Sequence, residues 1–293
     1  MSTNITKAVI PAAGQGLRLR PLTTYLPKEL LPIGGKPMIQ YTLEMYMASG
    51  ISEFCIITSP HKPMLRDFVT GQWKPPALPF HWDAKLYGKL EACRTVFLTQ
   101  NKPRGVADAV ALARDFVGDD AFACIMPDCL LFSDQPLAHQ LLKGCERHHS
   151  HVIGSIYIRG NDVRRFGNVG VLQTDRFRGP CFAITSLSDK TQAPLSLGPG
   201  KTIHKGFGGG IYLPEYFDLV EAIRSHVKGE VDDVPIHHLL IKEEKLLGIV
   251  LEGTAFDVGH PLGFRAAVHY VGRNPSVTAH MPSKGFPTRT VRG

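Results

Sequence analysis

A group of small residues followed by cationic ones forms the first candidate binding loop of this sequence. The small residues are Ala12, Ala13, Gly14 and Gly16. They follow the apolar residues 8–10 and allow the backbone to turn sharply, so that its N–H groups can approach phosphate oxygens. Arg18, Arg20 and Lys28 add positive charge to the same loop, and an arginine can bind a phosphate through two parallel hydrogen bonds. This composition predicts a loop that holds phosphate groups.

The Gly-x-Gly spacing of Gly14 and Gly16 is, on its own, weak evidence for phosphate binding, because an ordinary turn with solvated charges has the same composition. Two better-known glycine loops are excluded. A dinucleotide-binding fingerprint needs a third small residue where this chain has Leu19. A P-loop needs Gly-Lys followed by Ser or Thr, which this loop lacks. From the residues alone, the ordinary turn stays open.

Two aspartates follow apolar segments further along the chain. Asp128 comes directly after Met126 and Pro127, and Asp257 lies in the stretch Ala-Phe-Asp-Val-Gly-His-Pro. An aspartate at such a point is often a turn former. In open α/β sheets, however, the carboxyl ends of the strands are where ligands bind. The residues alone leave both interpretations open.

The order of apolar segments indicates how these residues are positioned. Residues 8–10, 54–58, 94–99, 121–126 and 152–158 have the composition of buried strands. Helical spacing separates several of them. The predicted helices are 38–47, 83–93, 106–116, 136–149, 214–227, 234–245 and 264–271. Alternating strands and helices with short joints predict a Rossmann-like, doubly wound α/β fold with a mostly parallel sheet.

The pattern changes after residue 167. Short apolar segments at 170–174, 181–187 and 207–213, separated by turns, predict a small antiparallel sheet added to the main one, and residues 248–251 predict another strand. The glycines 208–210 could equally form a hairpin turn. We expect one domain over residues 1–273, with an insertion at about 59–94 and a subregion of short strands at about 167–213. The Pro-rich, basic tail 274–293 is expected to be mobile.

Composition bounds the function classes. The chain has 293 residues, is 43% hydrophobic, and carries 33 basic against 26 acidic residues, a formal net charge of +7. This excess suits an anionic ligand, but it is scattered, so a nucleic-acid partner is not expected. The first six residues are polar and no apolar run reaches the length of a membrane span, so neither a signal peptide nor a membrane partner is expected and the cytoplasm is predicted.

Cysteine and histidine residues do not predict a metal cluster. The six cysteines have no Cys-x-x-Cys spacing and fit reduced core positions. They are Cys55, Cys93, Cys124, Cys129, Cys145 and Cys181. Five histidines lie in two groups without accompanying zinc-ligand spacing, so a zinc site is not predicted. These histidines are His148, His149, His151, His237 and His238.

Two stretches together resemble a known family. Residues 12–21 read Ala-Ala-Gly-Gln-Gly-Leu-Arg-Leu-Arg-Pro, and residues 27–39 read Pro-Lys-Glu-Leu-Leu-Pro-Ile-Gly-Gly-Lys-Pro-Met-Ile. They resemble the sugar-1-phosphate nucleotidylyltransferases, and within them the bacterial UTP–glucose-1-phosphate uridylyltransferases. The resemblance extends from about residue 7 to about residue 273. It implies that a sugar 1-phosphate attacks the α-phosphate of a nucleoside triphosphate, giving UDP-glucose and pyrophosphate.

The resemblance also implies the site residues. Those implied to act on the reacting phosphates are Arg18, Lys28 and Lys190. Those implied to hold the nucleotide are Ala12, Ala13, Gly14, Gly16, Gln100 and Gly105. Those implied to line the sugar site are Phe166, Gly167, Asp189 and Gly209. Asp128 and Asp257 are implied to share a Mg²⁺, which favours oxygen ligands and commonly uses one or two carboxylates together with substrate phosphates.

Five residues depart from the pattern of the resembled family. Leu17 stands where a hydroxyl is usual, Phe166 where tyrosine is usual, and Asp189 where glutamate is usual; Ala107 and Asp108 replace a glycine and an aromatic or histidine-like residue. Two alternatives follow. The chain could use another nucleotide, such as dTTP or CTP, or another sugar 1-phosphate. It could also be a weakly active homologue that binds nucleotide sugar as a regulatory module. A homo-oligomer is expected, although no pattern identifies its contact.

Overall fold

The computed structural model describes residues 5–72, 84–167, 170–174, 179–189, 197–198, 200–227 and 229–276. Its main sheet has eight strands: β1 (Lys7–Pro11), β4 (Glu53–Thr58), β5 (Arg94–Thr99), β6 (Phe122–Ile125), β8 (His151–Arg159), β10 (Cys181–Ala183), β12 (Thr202–Tyr212) and β13 (Leu246–Val250). Their order across the sheet is β10-β13-β8-β12-β6-β1-β4-β5. Six of them run in one direction, since only β10 and β12 pair antiparallel to their neighbours. The predicted α/β class with a mostly parallel sheet is confirmed.

Three two-stranded antiparallel sheets accompany the main sheet. Their strands are β2 (Pro32–Ile33) with β3 (Lys36–Pro37), β7 (Cys129–Phe132) with β14 (Thr254–Asp257), and β9 (Leu172–Gln173) with β11 (Ser186–Leu187). The helices are α1 (Met38–Ala48), α2 (Pro63–Thr70), α3 (Ala84–Glu91), α4 (Val106–Ala111), α5 (Arg114–Val117), α6 (Leu137–His148), α7 (Tyr216–Arg224), α8 (Val234–Lys242) and α9 (Pro261–Arg273).

Successive apolar side chains of β1 point to opposite faces of the main sheet, and each face is covered by helices. Ala8 and Ile10 belong to a core cluster with residues of α1 and α6, whereas Val9 belongs to a second cluster with residues of α4, α7 and α8. Successive strand residues point to opposite faces, so a continuous apolar run needs a helical layer on each side. A third cluster joins α9 to β7 and β14.

The predicted small antiparallel sheet after residue 167 is confirmed, but two of the segments assigned to it, β10 and β12, belong to the main sheet. Residues 202–212 form the long strand β12 inside the main sheet, and only β9 and β11 make the small antiparallel sheet among the described residues of this region. The register of β12 shifts between Gly206 and Gly210, and Gly209 has φ +115°. A Cβ at Gly209 would lie 2.1 Å from the Cys124 carbonyl oxygen on β6. The glycines therefore form an irregularity within a strand, and the hairpin interpretation of 208–210 is wrong.

Other boundaries differ locally. The predicted helix 106–116 is divided into α4 and α5, because the amides of Leu112 and Ala113 donate to carbonyls three residues back rather than four.

The predicted insertion contains α2 and α3, which are joined by a 2.8 Å hydrogen bond from the Tyr87 hydroxyl to the Phe68 carbonyl. Residues 73–83 of this insertion, and 277–293 of the predicted tail, lie outside the described residues.

Two absences hold for the described part of the chain. The six cysteines are all free, and Cys55, Cys124 and Cys145 are buried. Within the same ranges, no helix combines the length and the apolar character that crossing a bilayer requires.

A tyrosine hydroxyl supports the carboxyl end of β6. Tyr46 on α1 is fully buried, and its oxygen accepts a 2.7 Å hydrogen bond from the Ile125 amide. Tyr46→Phe should lower the free energy of unfolding by about 1–3 kcal/mol, because the buried Ile125 N–H loses its acceptor. Urea denaturation measures this loss. Tyr25→Phe is the matched control, since Tyr25 is 93% exposed; equal stabilities for both variants would contradict the role of this bond.

Candidate active site

The site lies where the strand order reverses. β1 is flanked by β4 on one side and by β6 on the other, so the loops that leave β1 and β6 diverge and open a crevice at the carboxyl edge of the sheet. Residues 12–28 follow β1, and Asp128 follows β6. The topology therefore brings together two segments about a hundred residues apart.

The loop after β1 has a buried base and an open tip. Ala12 and Ala13 are buried, whereas Gly14 and Arg18 are exposed. Gly16 has φ +67°, in the left-handed region that favours glycine. Its carbonyl accepts a 2.8 Å hydrogen bond from the Thr23 hydroxyl, and a Cβ on Gly16 would lie 3.3 Å from Lys28 Cβ. The second glycine is thus required by the fold of the loop itself.

Pairing of β7 with β14 brings the two aspartates together. Asp257 lies opposite Cys129 in this antiparallel ladder, and the Val258 amide donates a 2.8 Å hydrogen bond to the Asp128 carbonyl. A side chain at Gly259 would collide with one of these carboxylates. A Cβ on Gly259 would lie 2.3 Å from Asp128 Oδ2. The resemblance named both aspartates together, but the strand pair that joins them was not predicted.

Two cationic side chains, those of Lys28 and Arg18, lie close to these carboxylates. Lys28 Nζ lies 2.7 Å from Asp128 Oδ2. The Arg18 guanidinium lies between the pair, 4.0 Å from Asp128 Oδ2 and 3.8 Å from Asp257 Oδ2. Because the Arg18 side chain is 53% exposed, its positive charge can also reach a ligand that enters from solvent.

The two carboxylates differ in their electrostatics. Burial disfavours the charge of Asp128, but the Lys28 ammonium and the Arg18 guanidinium together lower the pKa of Asp128 below its ordinary value. Burial and the nearby Asp128 charge raise the pKa of Asp257. Burial also disfavours the charge of Lys28, yet Asp128 and Glu29 outweigh it and raise the pKa of the lysine. Lys28 and Asp128 are therefore a charged pair.

A buried ion pair beneath the loop was missed from the sequence. Glu29 is fully buried, and Lys62 Nζ lies 2.8 Å from its Oε2. The same ammonium donates a 2.7 Å hydrogen bond to the Ala12 carbonyl, which fixes the start of the loop. Burial lowers the pKa of Lys62 despite the neighbouring Glu29. A charged residue between Lys28 and the apolar Leu30 was the available signal for Glu29; nothing local identified Lys62.

A second lysine was also missed from the sequence. Lys205 on β12 is 5% exposed. Burial lowers its pKa, while the Asp257 carboxylate acts in the opposite direction. A buried cation in the middle of β12 therefore adds to the positive charge around Asp257. The alternating polar and apolar residues that precede it in the sequence do not distinguish it from a solvent-facing lysine.

Gln100 lies at the edge of the crevice, after β5. Its amide nitrogen donates to the Asp108 carboxylate at 2.9 Å and to the Gly105 carbonyl at 3.1 Å. Asp108 in turn accepts a 2.6 Å hydrogen bond from Arg224 on α7. Gly105 has φ +99°, and a Cβ there would lie 2.5 Å from the Val231 carbonyl oxygen. Asp108, a departure from the resembled family, is thus joined directly to Gln100.

Of the residues implied to line a sugar site, Gly167 contacts the carboxylate pair, whereas Phe166 and Asp189 have other neighbours. The Gly167 amide donates a 2.8 Å hydrogen bond to Asp257 Oδ2, which brings it to the carboxylate pair. Phe166 is buried, with its ring edge-on to Phe207 at 6.1 Å. The Asp189 side chain is 80% exposed and lies 3.7 Å from His238 Nε2. Gly209 lies in the β12 irregularity, and Lys190 lies outside the described residues.

The carboxylate pair fits a divalent cation that has few protein ligands. Asp128 and Asp257 offer hard oxygen donors, and the guanidinium of Arg18 between them shows that the pair holds positive charge. Among the described residues, no group of three or more His, Cys, Asp or Glu side chains could enclose an ion. Two carboxylates suit Mg²⁺, which keeps waters and takes its other ligands from phosphates.

Known proteins resemble this chain over most of its length. Residues 7–262 match the Nucleotidyl transferase family. A UTP–glucose-1-phosphate uridylyltransferase of Streptococcus pyogenes is 30% identical, over 94% of this chain and 91% of the relative. A structure of UDP-glucose pyrophosphorylase complexed with UDP-glucose has a TM-score of 0.75 at 21% identity, covering 92% of this chain and 99% of the other.

A Bacillus anthracis protein described as a putative glucose-1-phosphate thymidylyltransferase is also similar. Its structure has a TM-score of 0.69 at 22% identity, covering 90% of this chain and 94% of the other. At 21–22% identity, these two structural likenesses show a shared fold.

Removing the buried cation should test the Lys62–Glu29 pair. Lys62→Met leaves the Glu29 carboxylate buried without its partner, so the free energy of unfolding should fall by about 3–5 kcal/mol. Lys245→Met is the matched control: Lys245 Nζ also lies 2.8 Å from a glutamate, Glu243, but both side chains are exposed, and little change is expected. Urea denaturation compares them, and similar losses in both variants would contradict a special role for burial.

Proposed function

Because the chain belongs to the Nucleotidyl transferase family, we propose that it transfers a uridylyl group from UTP to glucose 1-phosphate and releases pyrophosphate. One observation carries this proposal: the cations of a glycine-rich loop, Arg18 and Lys28, converge on the Asp128–Asp257 pair at the reversal of strand order. A crevice that combines backbone N–H groups, cations and paired carboxylates suits a triphosphate.

The proposed reaction needs alignment rather than a strong base. A sugar 1-phosphate is largely dianionic at neutral pH, since its second pKa is about 6. One of its oxygens forms a bond to the α-phosphorus of the triphosphate, and the bond from that phosphorus to the pyrophosphate oxygen breaks. No proton has to be removed from the nucleophile. Catalysis therefore depends on holding two anions in line and stabilising the charge that develops.

The proposed roles follow from position and charge. The loop from Gly14 to Arg18 would hold the triphosphate, with Lys28 on its phosphates. Lys28 and Arg18 would offset the repulsion between the two anionic substrates. Lys190, from the resemblance, would hold the phosphate of the sugar. Gly167, whose amide is bonded to Asp257, would bring the sugar side of the crevice to the carboxylates.

Mg²⁺ is part of the proposal, with Asp128 and Asp257 as its ligands. When bound, Mg²⁺ polarises and neutralises phosphoryl oxygens. The chain's own contribution is to hold the two aspartates side by side. The β7–β14 ladder and the small residues Gly259 and Gly263 allow this close approach. A Cβ on Gly263 would lie 2.0 Å from the Asp257 carbonyl oxygen, so this approach requires glycine.

The choice of nucleotide and sugar rests on relatives. The Streptococcus pyogenes relative supports UTP and glucose 1-phosphate, whereas the Bacillus anthracis protein supports dTTP as an alternative with the same chemistry. The amide nitrogen of Gln100 already donates to Asp108 and Gly105, but its oxygen can accept the N3 hydrogen that uracil and thymine share. Gln100 is therefore proposed to contact the base in either case.

A substrate grid tests the proposed function. The purified protein with Mg²⁺ is incubated with UTP, dTTP, CTP, ATP or GTP, each against several sugar 1-phosphates, and pyrophosphate release is measured. We expect UTP with glucose 1-phosphate to give the highest kcat/KM. A different best pair would correct the substrate assignment. Binding of UDP-glucose without turnover in any combination would instead support a regulatory module.

The metal ligands can be tested with a matched set of variants. Asp128→Asn and Asp257→Asn should each lower kcat/KM by about 100-fold or more, because the phosphates lose charge stabilisation, and raise the Mg²⁺ concentration needed for half-maximal rate. Asp134→Asn is the control, since Asp134 is an exposed aspartate outside the crevice. Chelation with EDTA should abolish turnover. Unchanged Mg²⁺ dependence in both crevice variants would contradict the assignment.

A further inference from the structure

The network around Gln100 has a consequence beyond contact with a base. Its amide nitrogen carries two hydrogens, and it donates to two acceptors, the Asp108 carboxylate at 2.9 Å and the Gly105 carbonyl at 3.1 Å. Turning the amide over would place its oxygen against a carboxylate oxygen and a carbonyl oxygen, where no hydrogen is available. The partners of Gln100 therefore fix which end of the amide faces outward.

Arg224 fixes the carboxylate in turn. Its guanidinium donates to Asp108 Oδ1 at 2.6 Å, while Oδ2 accepts from Gln100. Asp108 is 4% exposed, so its charge is paired in a water-poor setting. Although Asp108 lies in the first turn of α4, no side chain caps that helix. Asp108 thus bridges Arg224 and Gln100 and does not cap the helix.

The remaining polar atom of Gln100 is its amide oxygen, Oε1. Within the described residues, no donor bonds to Oε1, and this oxygen is not one of the fully buried unpartnered atoms, which include Thr58 Oγ1. Gln100 follows β5, and its backbone amide donates to the Thr58 carbonyl on β4. β5 lies two strands from β1, about 10 Å across the sheet. An open acceptor therefore lies beside the crevice, offset from the phosphate loop.

An acceptor fixed at this point discriminates between pyrimidines. Uracil and thymine carry a hydrogen on N3, which Oε1 can accept. Cytosine has a lone pair at N3, which would face the amide oxygen with no hydrogen between them. Its nearest hydrogens are on the N4 amino group, so cytosine could bond Oε1 only by moving along its edge from the position that uracil takes. A site built to hydrogen-bond one group rejects an analogue that leaves its buried polar atom unpaired.

We propose that Asp108, held by Arg224, is a positioning residue that fixes the Gln100 amide with its oxygen outward, so that the site accepts a keto pyrimidine nucleotide and rejects a cytosine nucleotide. This inference rests on the proposed function, since it requires that the crevice bind a nucleotide. It gives a role to Asp108, which from the sequence was only a departure from the resembled family.

Asp108→Asn tests the inference. The new side-chain amide would turn its oxygen to Arg224 and its amino group to Gln100, which matches a reversed Gln100 amide. The Gly105 carbonyl still favours the original orientation, so both orientations become accessible and the base meets either an acceptor or a donor. We expect the UTP-to-CTP ratio of kcat/KM, and the corresponding ratio of dissociation constants from calorimetry, to fall by about tenfold or more. A purely structural role would weaken both nucleotides in parallel and leave the ratios unchanged.

Glu221→Gln is the matched control. It makes the same acid-to-amide change beside the same arginine, 3.6 Å from Arg224, but its side chain is 72% exposed; both ratios should match those of the wild type. Gln100→Met provides a second variant if Asp108→Asn does not fold. It removes the acceptor directly, so its UTP-to-CTP ratios should approach one.

The outcomes separate this inference from the proposed function. Unchanged ratios in the folded Asp108→Asn variant, or a wild type that binds CTP as well as UTP, would overturn the inference while transferase activity stands. A wild type that binds UTP without turnover would overturn the proposed function, and the ratio of dissociation constants would still decide the inference. A wild type that binds neither nucleotide overturns both.

Discussion

The charged pair of Lys28 and Asp128 is the interaction on which the crevice depends. It joins the loop after β1 to the loop after β6, which otherwise diverge at the reversal of strand order. Both groups are largely buried, and an uncompensated charge in such a place is costly. The same need for a charge partner applies to the residue beneath the loop: Glu29, next in sequence to Lys28, is buried and is paired with Lys62. Alternating charges therefore connect the loop after β1 to the residues beneath it.

This constraint explains why small residues surround the carboxylates. Two aspartates can share one cation only if their backbones approach closely, and the antiparallel pairing of Asp257 with Cys129 provides that approach. Gly259 has no room for a Cβ because of the Asp128 carboxylate, and Gly263 has none because of the Asp257 carbonyl. The glycines after β14 are therefore a condition of the charge arrangement rather than of chain flexibility.

Local patterns predicted the parts of the fold that are local. The strands near residues 8, 54 and 94 and the helix from Met38 were identified because their apolar spacing is complete within a dozen residues. The place of β12 could not be inferred, since its two antiparallel partners are distant in sequence and its glycines resemble a turn. In the site, charged residues near the glycines were found by motif, whereas Lys62 was missed because its partner Glu29 lies 33 positions away.

The pairing of Lys28 with Asp128 also constrains how ligands enter. A phosphate that binds the Lys28 ammonium competes with Asp128 for it, and Asp128 is then a buried carboxylate whose remaining cation, Arg18, lies 4.0 Å away. A divalent cation would restore that balance, and the same cation is held more strongly when phosphate oxygens complete its ligands. If the chain binds a nucleoside triphosphate and Mg²⁺ as proposed, each ligand removes the cost that the other creates. Their affinities should then be coupled, and by linkage the coupling is reciprocal. Under the proposed function, the Lys28–Asp128 pair therefore favours polyphosphate and metal binding together over either alone.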